Sequence, residues 1–551
     1  MKGDSSNLLL LIVTAVANGA AFAASSPLLM NNPTLLVKGG SMRTNMEQGT
    51  NGTASVTNST STMAFSFAVP DAPTVAPQSD MIIPSHVENC EEEHQPSQLS
   101  SCITEQQIQP PRKPLKVLFL SADTGGGHRA SAESLANQFM KHYPGSEYDL
   151  LDVWTPTKVY PYTTLVKSYK HLSAHPLQWK LLYHVSNTRA YAKFTDIHSN
   201  RLCRDKVKRE MERFDPDVVV SVHPTMNYLP EKITRELAKS KGKNVPFFTV
   251  VTDFGSGHCT WFHKDVDKMY IASDKIEELA KKRGSIADEK IFMSGLPIRD
   301  AFAAQSDAMI DRTTIEGKQY RREMKVKLGL DPEKKVILAM GGGEGVGSLS
   351  LIAEKMQVEM KASGVDATIL VICGRNEALK EEINSRDWET FIPRKSKRSK
   401  LARKMFRKKR IAEERISNAK GNVDVIGLGF VDNMAEVMVA ADVLVSKAGP
   451  GTIAEAAAVG LPVMITSFLP GQEAGNVDIV LDGEFGAFSQ KPRKIAKAVT
   501  EWVQDESMLD ELSRNSARVG NPHAASNIVL DIGRITEEMM KQNQELAIKN
   551  D

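Results

Sequence analysis

One glycine-rich stretch in the last third of the chain has residue types that could hold a phosphate group. It runs Lys447-Ala-Gly449-Pro-Gly451-Thr452-Ile-Ala-Glu455 and follows a mostly apolar segment, residues 440–445, that predicts a buried strand. A helical pattern begins at Thr452, so the turn leaves unpaired backbone N–H groups at the positive end of a helix. Such groups bind phosphate, and Glu455 can reach hydroxyls beside it. An ordinary strand–helix joint with a glycine turn is the competing interpretation.

A second cluster of this kind lies far upstream and contains a histidine. It runs Asp123-Thr-Gly-Gly126-Gly127-His128-Arg, between an apolar segment, residues 116–121, and a helical pattern. The positive field at a helix start disfavours protonation of His128, which leaves a neutral imidazole able to accept a proton. A polar residue that merely caps the turn is the alternative.

The elements that must position these residues are buried parallel strands. Two apolar runs, residues 217–222 and 247–252, end in His223 and Asp253. Functional groups gather at the carboxyl ends of such strands, so the two side chains are expected to rim one cleft, although Asp253 could equally cap a helix. From residue 336 the plan restarts with a strand and a glycine turn at residues 341–345. The sequence therefore predicts two α/β halves that face each other across a cleft.

Length and composition favour a multidomain protein that works in a reducing compartment. The chain has 551 residues, a formal net charge of +2 and five cysteines without metal-ligand spacing. Such a length exceeds one core, and an odd number of scattered cysteines argues against a disulfide framework. We expect an amino-terminal domain over residues 113–310 and a carboxy-terminal domain over residues 311–540.

The first 112 residues have the composition of a targeting leader. Residues 1–24 follow the plan of a signal peptide, with a membrane anchor as the alternative, and residues 25–112 are too rich in Ser, Thr, Asn and Pro to build a core. The early part of this tract has basic residues and almost no acid, as a transit peptide does. The whole leader resembles the bipartite plastid leaders of algae with complex plastids.

Two further stretches suit a membrane surface. Residues 160–191 mix aromatic, aliphatic and basic side chains, which suits either an interfacial surface or a buried helix pair. Residues 394–410 hold eleven Lys and Arg and no acid, within an insertion that spans residues 394–415. This insertion is either drawn to anionic lipid or a solvated loop. Nucleic acid is disfavoured because no aromatic stacking set accompanies the charges.

Seven motifs in one order resemble the monogalactosyldiacylglycerol synthases, over about residues 115–540. They are the Asp123–Arg129 and Lys447–Glu455 stretches, Val250-Val-Thr-Asp253 with Thr260-Trp-Phe-His263, Gly295-Leu-Pro-Ile-Arg299, Met340-Gly-Gly-Gly-Glu-Gly345, Ile372-Cys-Gly-Arg-Asn376 and Gly471-Gln-Glu-Ala-Gly-Asn476. The resemblance implies the GT-B fold, with two Rossmann-like domains. It also implies transfer of galactose from UDP-galactose to diacylglycerol with inversion. Tyr160-Pro161 and the insertion 394–415 depart from the family pattern.

The resemblance also implies a role for individual residues. His128 is the general base, oriented by Asp123 or Asp253, and Glu455 binds the ribose. The remaining donor-binding residues are Gly342, Gly343, Glu344, Phe430, Val431, Lys447, Gly449, Gly451, Thr452, Gln472, Glu473 and Asn476, of which Phe430 and Val431 edge the uracil and the last three hold the galactose. The residues on the acceptor and lipid side are Gly126, Gly127, Pro161, Trp179, His223 and Trp261.

The resemblance implies a peripheral protein of the plastid envelope that binds diacylglycerol and anionic lipid. It implies no metal site and no tightly bound cofactor, and leaves room for stimulation by a divalent cation. Two other functions stay open from the residues alone. One is a related UDP-sugar glycosyltransferase with another lipid acceptor, and the other is a non-catalytic nucleotide-sugar-binding protein at a membrane.

Overall fold

The computed structural model describes residues 112–550 with gaps at residues 125, 174, 342–348 and 390–420. The leader up to residue 111, the predicted donor residues Gly342, Gly343 and Glu344, and the basic insertion 394–415 lie outside the described residues.

The first half of the described chain builds a six-stranded parallel sheet in the order β2-β1-β3-β4-β5-β6. Its strands are β1 (Lys116–Leu120), β2 (Glu147–Leu151), β3 (Val218–Ser221), β4 (Phe247–Val250), β5 (Lys268–Ile271) and β6 (Ile291–Met293). Its helices are α1 (Gly127–His142), α2 (Leu165–Ser173), α3 (Pro176–Ser186), α4 (Arg189–Phe214), α5 (Tyr228–Ser240) and α6 (Asp274–Leu279). The strand order reverses between β1 and β3, so the crevice for a ligand opens at the carboxyl ends of those two strands.

A second parallel sheet of six strands follows in the order β12-β11-β10-β7-β8-β9. Its strands are β7 (Lys335–Met340), β8 (Ala367–Ile372), β9 (Val423–Leu428), β10 (Val443–Lys447), β11 (Val463–Ser467) and β12 (Gly486–Phe488). Its helices are α7 (Asp300–Met309), α8 (Ile315–Lys327), α9 (Leu349–Ala362), α10 (Glu377–Asn384), α11 (Met434–Ala440), α12 (Pro450–Ala458), α13 (Ala474–Asp482), α14 (Pro492–Gln504) and α15 (Glu506–Val519). Here the order reverses between β7 and β10.

The central strands are mostly apolar because helices cover both faces of each sheet. Every residue of β3 and β4 is buried, whereas the edge strand β2 is largely exposed. Continuous Val, Ile and Phe runs are expected for parallel strands in this position. The prediction of two α/β halves is confirmed.

The last helix, α16 (Ala524–Asn550), returns from the second half to the first. Its Ile528, Val529 and Ile532 are buried in one cluster with Phe119 and Phe139. Lys268 Nζ lies 2.6 Å from Asp531 Oδ2, and the Tyr270 hydroxyl donates to the same oxygen over 2.8 Å. The first half therefore takes part of its core from the end of the chain.

The predicted strand before the phosphate-type turn is partly wrong. Ala440 is the last residue of helix α11, and strand β10 begins only at Val443. The next helix begins at Pro450, two residues before the predicted Thr452. Proline fits the first helical turn, because its ring fixes a helical φ and the N–H it lacks would have no partner there.

Candidate active site

His128 lies in the first turn of α1, directly after the carboxyl end of β1. Its side chain is 7 % exposed, and its Nδ1 lies 2.6 Å from Thr252 Oγ1. Burial lowers the pKa of His128 to about 4, and a hydrogen bond at the Val222 backbone acts in the opposite direction with a smaller effect. The imidazole is therefore neutral at physiological pH and can accept a proton.

His223 follows β3, on the other side of the strand-order reversal. Its ring packs edge-on against the His128 ring with 4.9 Å between centroids, and its Nε2 lies 3.0 Å from Thr124 Oγ1. Burial, together with the charge of His128, holds the pKa of His223 well below its usual range. Thr225 Oγ1 lies 3.0 Å from the other ring nitrogen. With both ring nitrogens contacted by protein hydroxyls, His223 is part of the wall beside His128.

Asp253 is buried and directly follows Thr252 in the loop after β4. Its Oδ2 accepts a hydrogen bond of 2.6 Å from Trp261 Nε1. Burial raises the pKa of Asp253 to about 7, the Trp261 hydrogen bond opposes this shift, and the charge of Glu473 adds to it. Trp261, predicted to meet lipid, is fully buried and holds this carboxyl group instead.

The partner of His128 differs from the prediction. Asp123 has a side chain that is 57 % exposed and lies 3.8 Å from Lys170 Nζ. Asp253 is engaged by Trp261, and the side chain on His128 Nδ1 is that of Thr252. The sequence signal for Thr252 was present in the Val-Val-Thr-Asp motif, but a threonine hydroxyl carries no charge that would single it out.

The donor-side glycine turn connects β10 to α12 as predicted. Gly449 is the residue before the helix, and Gly451 lies in its first turn with no atom within 4 Å of the position that a Cβ would take. Lys447 Nζ forms an ion pair of 2.7 Å with Glu473, whose other carboxylate oxygen accepts from the Leu469 N–H over 2.8 Å. The start of α12 therefore offers open backbone N–H groups beside a lysine that is 42 % exposed.

Glu455 forms an ion pair with Arg299, the residue that precedes α7. Arg299 Nε donates to its Oε1 over 2.8 Å, and its side chain is 14 % exposed. Burial raises the pKa of Glu455, and the charge and hydrogen bond of Arg299 oppose that shift. Arg299 was in a motif of the sequence but was not among the predicted site residues, because its partner is 156 residues away.

Asn476 and Gln472 differ in whether their side-chain amides are free to bind a ligand. The Asn476 side chain is 1 % exposed, accepts from the Gly255 N–H over 2.8 Å and donates to the Ala448 carbonyl over 2.8 Å. Its amide is thus committed to joining the halves, in contrast to the predicted galactose contact. Gln472 Oε1 is buried without a hydrogen-bond partner among the described residues, so it retains a free acceptor.

The two halves touch through backbone at a pair of glycines. A Cβ on Gly255 would lie 2.0 Å from the Gly475 carbonyl oxygen, and a Cβ on Gly475 would lie 1.9 Å from that of Gly255. The Gly475 N–H also donates to Ser256 Oγ over 2.8 Å. We call Gly255, Ser256, Gly475 and Asn476 the glycine seam, which joins the loop after β4 to the first turn of α13.

Helices α2 and α3 border the cleft with aromatic side chains. Tyr183 is 8 % exposed and packs on Gly471, where a Cβ would lie 2.5 Å from its ring. Trp179 packs edge-on against Tyr169 with 5.2 Å between centroids, and its indole N–H is buried without a partner among the described residues. Burial and the charges of Glu473 and Asp253 raise the pKa of Tyr169. This hairpin therefore reaches the predicted donor loop.

The other predicted residues lie around the same cleft or at its edges. Gly126 precedes α1 with φ +80°, a left-handed conformation that favours glycine, and Gly127 is the first residue of that helix. Pro161 is half-buried before the 3-10 turn Tyr162–Thr164. Phe430, 69 % exposed, and Val431 follow the carboxyl end of β9.

Among the described residues, no group of three or more His, Cys, Asp or Glu side chains could hold a metal ion. Within the same ranges, no helix has the length and apolar content needed to cross a bilayer.

Two Rossmann-like halves whose strand-order reversals border one cleft have the GT-B fold, and the family matches identify a glycosyltransferase of this fold. The profile described as "Glycosyltransferase family 28 C-terminal domain" matches residues 336–528, and that described as "Monogalactosyldiacylglycerol (MGDG) synthase" matches residues 128–298. The chain belongs to the monogalactosyldiacylglycerol synthase family.

Two plant relatives agree with this assignment. The chain is 33% identical to the probable monogalactosyldiacylglycerol synthase, chloroplastic, of Glycine max, over 77% of this chain and 72% of that protein. It is 32% identical to monogalactosyldiacylglycerol synthase 1, chloroplastic, of Arabidopsis thaliana, with the same coverage. Among solved structures, MurG of Acinetobacter baumannii is 15% identical, covers 76% of this chain and 100% of its own, and has a TM-score of 0.46.

Proposed function

We propose that this protein transfers galactose from UDP-galactose to 1,2-diacylglycerol with inversion and forms monogalactosyldiacylglycerol and UDP. The observation that carries the proposal is a buried, neutral histidine at the strand reversal of one half, together with a glycine-rich helix start at the strand reversal of the other. Family membership supplies the expected substrates. The neutral imidazole of His128 supports a base on one side, and the backbone N–H groups at the start of α12 support an anion site on the other.

The proton and the leaving group are handled by opposite halves. The diacylglycerol hydroxyl loses its proton to His128 while its oxygen attacks the anomeric carbon of galactose. The bond from that carbon to the diphosphate oxygen breaks, and UDP leaves with the electron pair. Backbone N–H groups at Gly451 and Thr452, with Lys447 beside them, stabilise the departing diphosphate. One displacement of this kind inverts the configuration.

The nucleotide and the sugar use the remaining donor residues. Glu455 accepts hydrogen bonds from the ribose hydroxyls, which requires its carboxylate to exchange or share its contact with Arg299. The free acceptor on Gln472 suits a hydroxyl of the galactose, and Phe430 and Val431 pack on the uracil. We also assign Gly342, Gly343 and Glu344 to donor binding. A divalent cation would neutralise part of the diphosphate charge when it accompanies the nucleotide.

The direct test uses the purified protein with UDP-galactose and diacylglycerol in mixed micelles. We expect a monogalactolipid with the anomeric configuration opposite to that of the donor. His128→Gln should lower kcat about 10²–10⁴-fold, because it removes the base and keeps a polar side chain. His523→Gln is the matched control, since His523 is half-exposed and pairs with Asp307 at 2.9 Å. Transfer to a different lipid would replace the acceptor. Nucleotide binding without any transfer by the wild type would indicate a binding protein, and undiminished transfer by His128→Gln would reject His128 as the base.

A membrane contact is proposed for helix α3. Leu177 is 86 % exposed and Leu181 is 58 % exposed, one helical turn apart on the same face, with the exposed Lys180 beside them. Apolar side chains flanked by lysine suit the interface of an anionic bilayer. Pro161 and the insertion 394–415 are proposed to add contacts to anionic lipid.

Liposome flotation tests this contact. Leu177→Asp combined with Leu181→Asp should reduce the bound fraction on vesicles of phosphatidylcholine with anionic lipid, and Ile315→Asp is the control because Ile315 is 83 % exposed at the start of α8. Equal flotation of all three proteins would reject α3 as the contact. Removal of residues 394–415 tests the insertion in the same assay.

We further propose that the protein acts at the plastid envelope as a peripheral membrane protein. The chloroplastic relatives and the leader pattern of residues 1–112 support this location. Imaging of the full chain with a carboxy-terminal fluorescent tag in an alga with complex plastids should show a plastid rim. A uniform cytosolic signal would reject the proposal.

A further inference from the structure

We propose that Thr252 is a positioning residue that holds the His128 ring in one orientation and one tautomer, so that Nε2 faces the lipid hydroxyl. The inference rests on the proposed function, because it concerns the same base. It adds a residue that reaches the reaction only through His128.

Ring packing alone does not determine where the nitrogens of His128 lie. His223 packs edge-on at 4.9 Å and Trp261 at a tilt at 5.9 Å between centroids, and both contacts restrict the plane of the ring. Rotation of the ring by 180° would keep these apolar contacts while exchanging nitrogen and carbon positions. A polar partner distinguishes the two orientations, and Thr252 Oγ1 is that partner at 2.6 Å from Nδ1.

A hydroxyl can donate as well as accept, and we assign Thr252 Oγ1 the accepting role in this contact, which fixes the tautomer. A neutral imidazole carries one N–H and one lone pair, and only the nitrogen with the lone pair can take a proton. When Nδ1–H donates to Thr252 Oγ1, the lone pair is on Nε2 and the base is competent. In the other tautomer Nε2 carries the hydrogen and cannot act. Because both side chains are buried, at 7 % and 3 % exposure, water does not exchange freely with this hydrogen bond.

Besides Thr252, the Val222 backbone forms a hydrogen bond with His128, and the other polar side chains beside the ring have partners of their own. His223 has its ring nitrogens at 3.0 Å from Thr124 and Thr225, and Asp253 accepts the indole N–H of Trp261. A neutral hydroxyl orients the base without adding the negative charge that an aspartate would bring. The His128 imidazole therefore stays uncharged until a substrate hydroxyl arrives.

Thr252 also connects the base to the donor side through the backbone. Three residues later Gly255 donates to Asn476 Oδ1 over 2.8 Å in the glycine seam. A loop anchored at that seam carries the hydroxyl that orients His128. Loss of the hydroxyl should therefore change the rate of the chemical step and leave nucleotide binding intact.

The test compares three variants of the full protein. Thr252→Val removes the hydroxyl with little change in shape, and Thr252→Ser keeps it. Thr249→Val is the control, because Thr249 is equally buried in β4 and its hydroxyl donates to Asn227 over 2.8 Å, away from His128. We expect Thr252→Val to lower kcat about 10–100-fold with the donor KM within about twofold, and Thr252→Ser to recover most of the rate.

A second readout does not depend on turnover. Nitrogen-15 NMR of the histidines, with His128→Gln used for assignment, should show the Nδ1–H tautomer in the wild type and in Thr252→Ser. Thr252→Val should show a mixture of tautomers. If Thr252→Val does not fold, the wild-type and Thr252→Ser spectra still decide, because an Nε2–H tautomer in either one overturns the proposal.

The failures of the two proposals are distinguishable. If His128→Gln keeps full galactosyl transfer, the assigned base is wrong and the proposed mechanism fails. If His128→Gln is inactive while Thr252→Val keeps both the wild-type kcat and a single tautomer, only the positioning role of Thr252 is overturned.

Discussion

At the residue scale, Asp253 should make the stability of the protein depend on pH. Its pKa is raised by burial from 3.8 to about 7, so between these values the folded chain holds a proton that the unfolded chain has lost. Stability should therefore fall as the pH rises from about 4 to 7. Asp253→Asn removes this dependence, and its free energy of unfolding relative to wild type should improve between pH 5 and pH 8, by an amount on the order of a few kcal/mol.

Urea unfolding at the two pH values measures this change. Asp265→Asn is the control, because the Asp265 side chain is 53 % exposed. An equal difference from wild type at pH 5 and pH 8 would mean that Asp253 is already ionised in the folded protein.

A buried carboxylate, that of Asp442, also stabilises the second half. Asp442 accepts from Arg321, from Lys325 Nζ over 3.1 Å and from the Val336 N–H over 2.7 Å. Burial alone would raise the pKa of Asp442, but these cations and this hydrogen bond keep it below its usual range. Asp442→Ala leaves two buried cations without their partner and should cost about 3–5 kcal/mol.

Chemical denaturation of Asp442→Ala against Asp424→Ala checks this value. Asp424 pairs with Lys334 at 2.6 Å but is 52 % exposed, so its loss should cost at most about 1 kcal/mol. Because the pKa of Asp442 is depressed in the folded protein, its contribution to the free energy of unfolding is present above about pH 4 and is lost as the pH falls below that value. Equal costs for the two variants would contradict the buried network.

At the element scale, a substitution at the start of helix α12 should affect nucleotide binding without affecting the stability of the fold. A Cβ at Gly451 would project into open space, so Gly451→Ala should leave the melting temperature unchanged or slightly higher. The same methyl group would occupy the place where a diphosphate approaches the backbone. We expect the dissociation constant of UDP, measured by calorimetry, to rise at least about tenfold. Unchanged UDP affinity would place the diphosphate elsewhere.

Sequence reasoning was most successful where function is local in the chain. The glycine turns at Gly126 and Gly451 follow a strand and begin a helix within ten residues, so periodicity alone located them. Contacts between distant segments were missed. Thr252 meets His128 over 124 residues, and Arg299 meets Glu455 over 156. The burial of Trp261 was missed too. The sequence around a loop tryptophan does not show whether the side chain contacts lipid or a buried carboxyl group.

At the scale of the whole molecule, the glycine seam should set the distance between base and donor. Alanine at either Gly255 or Gly475 places a methyl group within 2.0 Å of the opposite carbonyl oxygen, and neither backbone can yield without separating the halves. We expect each single variant to lower kcat at least about tenfold, because small displacements of reacting groups are costly.

A double-mutant cycle tests the seam as a unit. Once one alanine has opened it, the second should cost little, so the two effects on kcat should be strongly non-additive. Additive losses would mean that the two glycines act at separate places.

Because helix α16 packs against the first half, that half should not fold properly when it is produced as a separate fragment. A fragment that ends before residue 314 would present the sockets for Ile528, Val529 and Ile532 to water, so we expect it to aggregate when produced alone. Supplying residues 520–551 as a separate peptide, or rearranging the gene so that this helix precedes residue 112, should restore solubility. The last helix of the sequence belongs to the core of the first half. A fragment or a circularly permuted variant of such an enzyme must therefore keep this helix together with the first half.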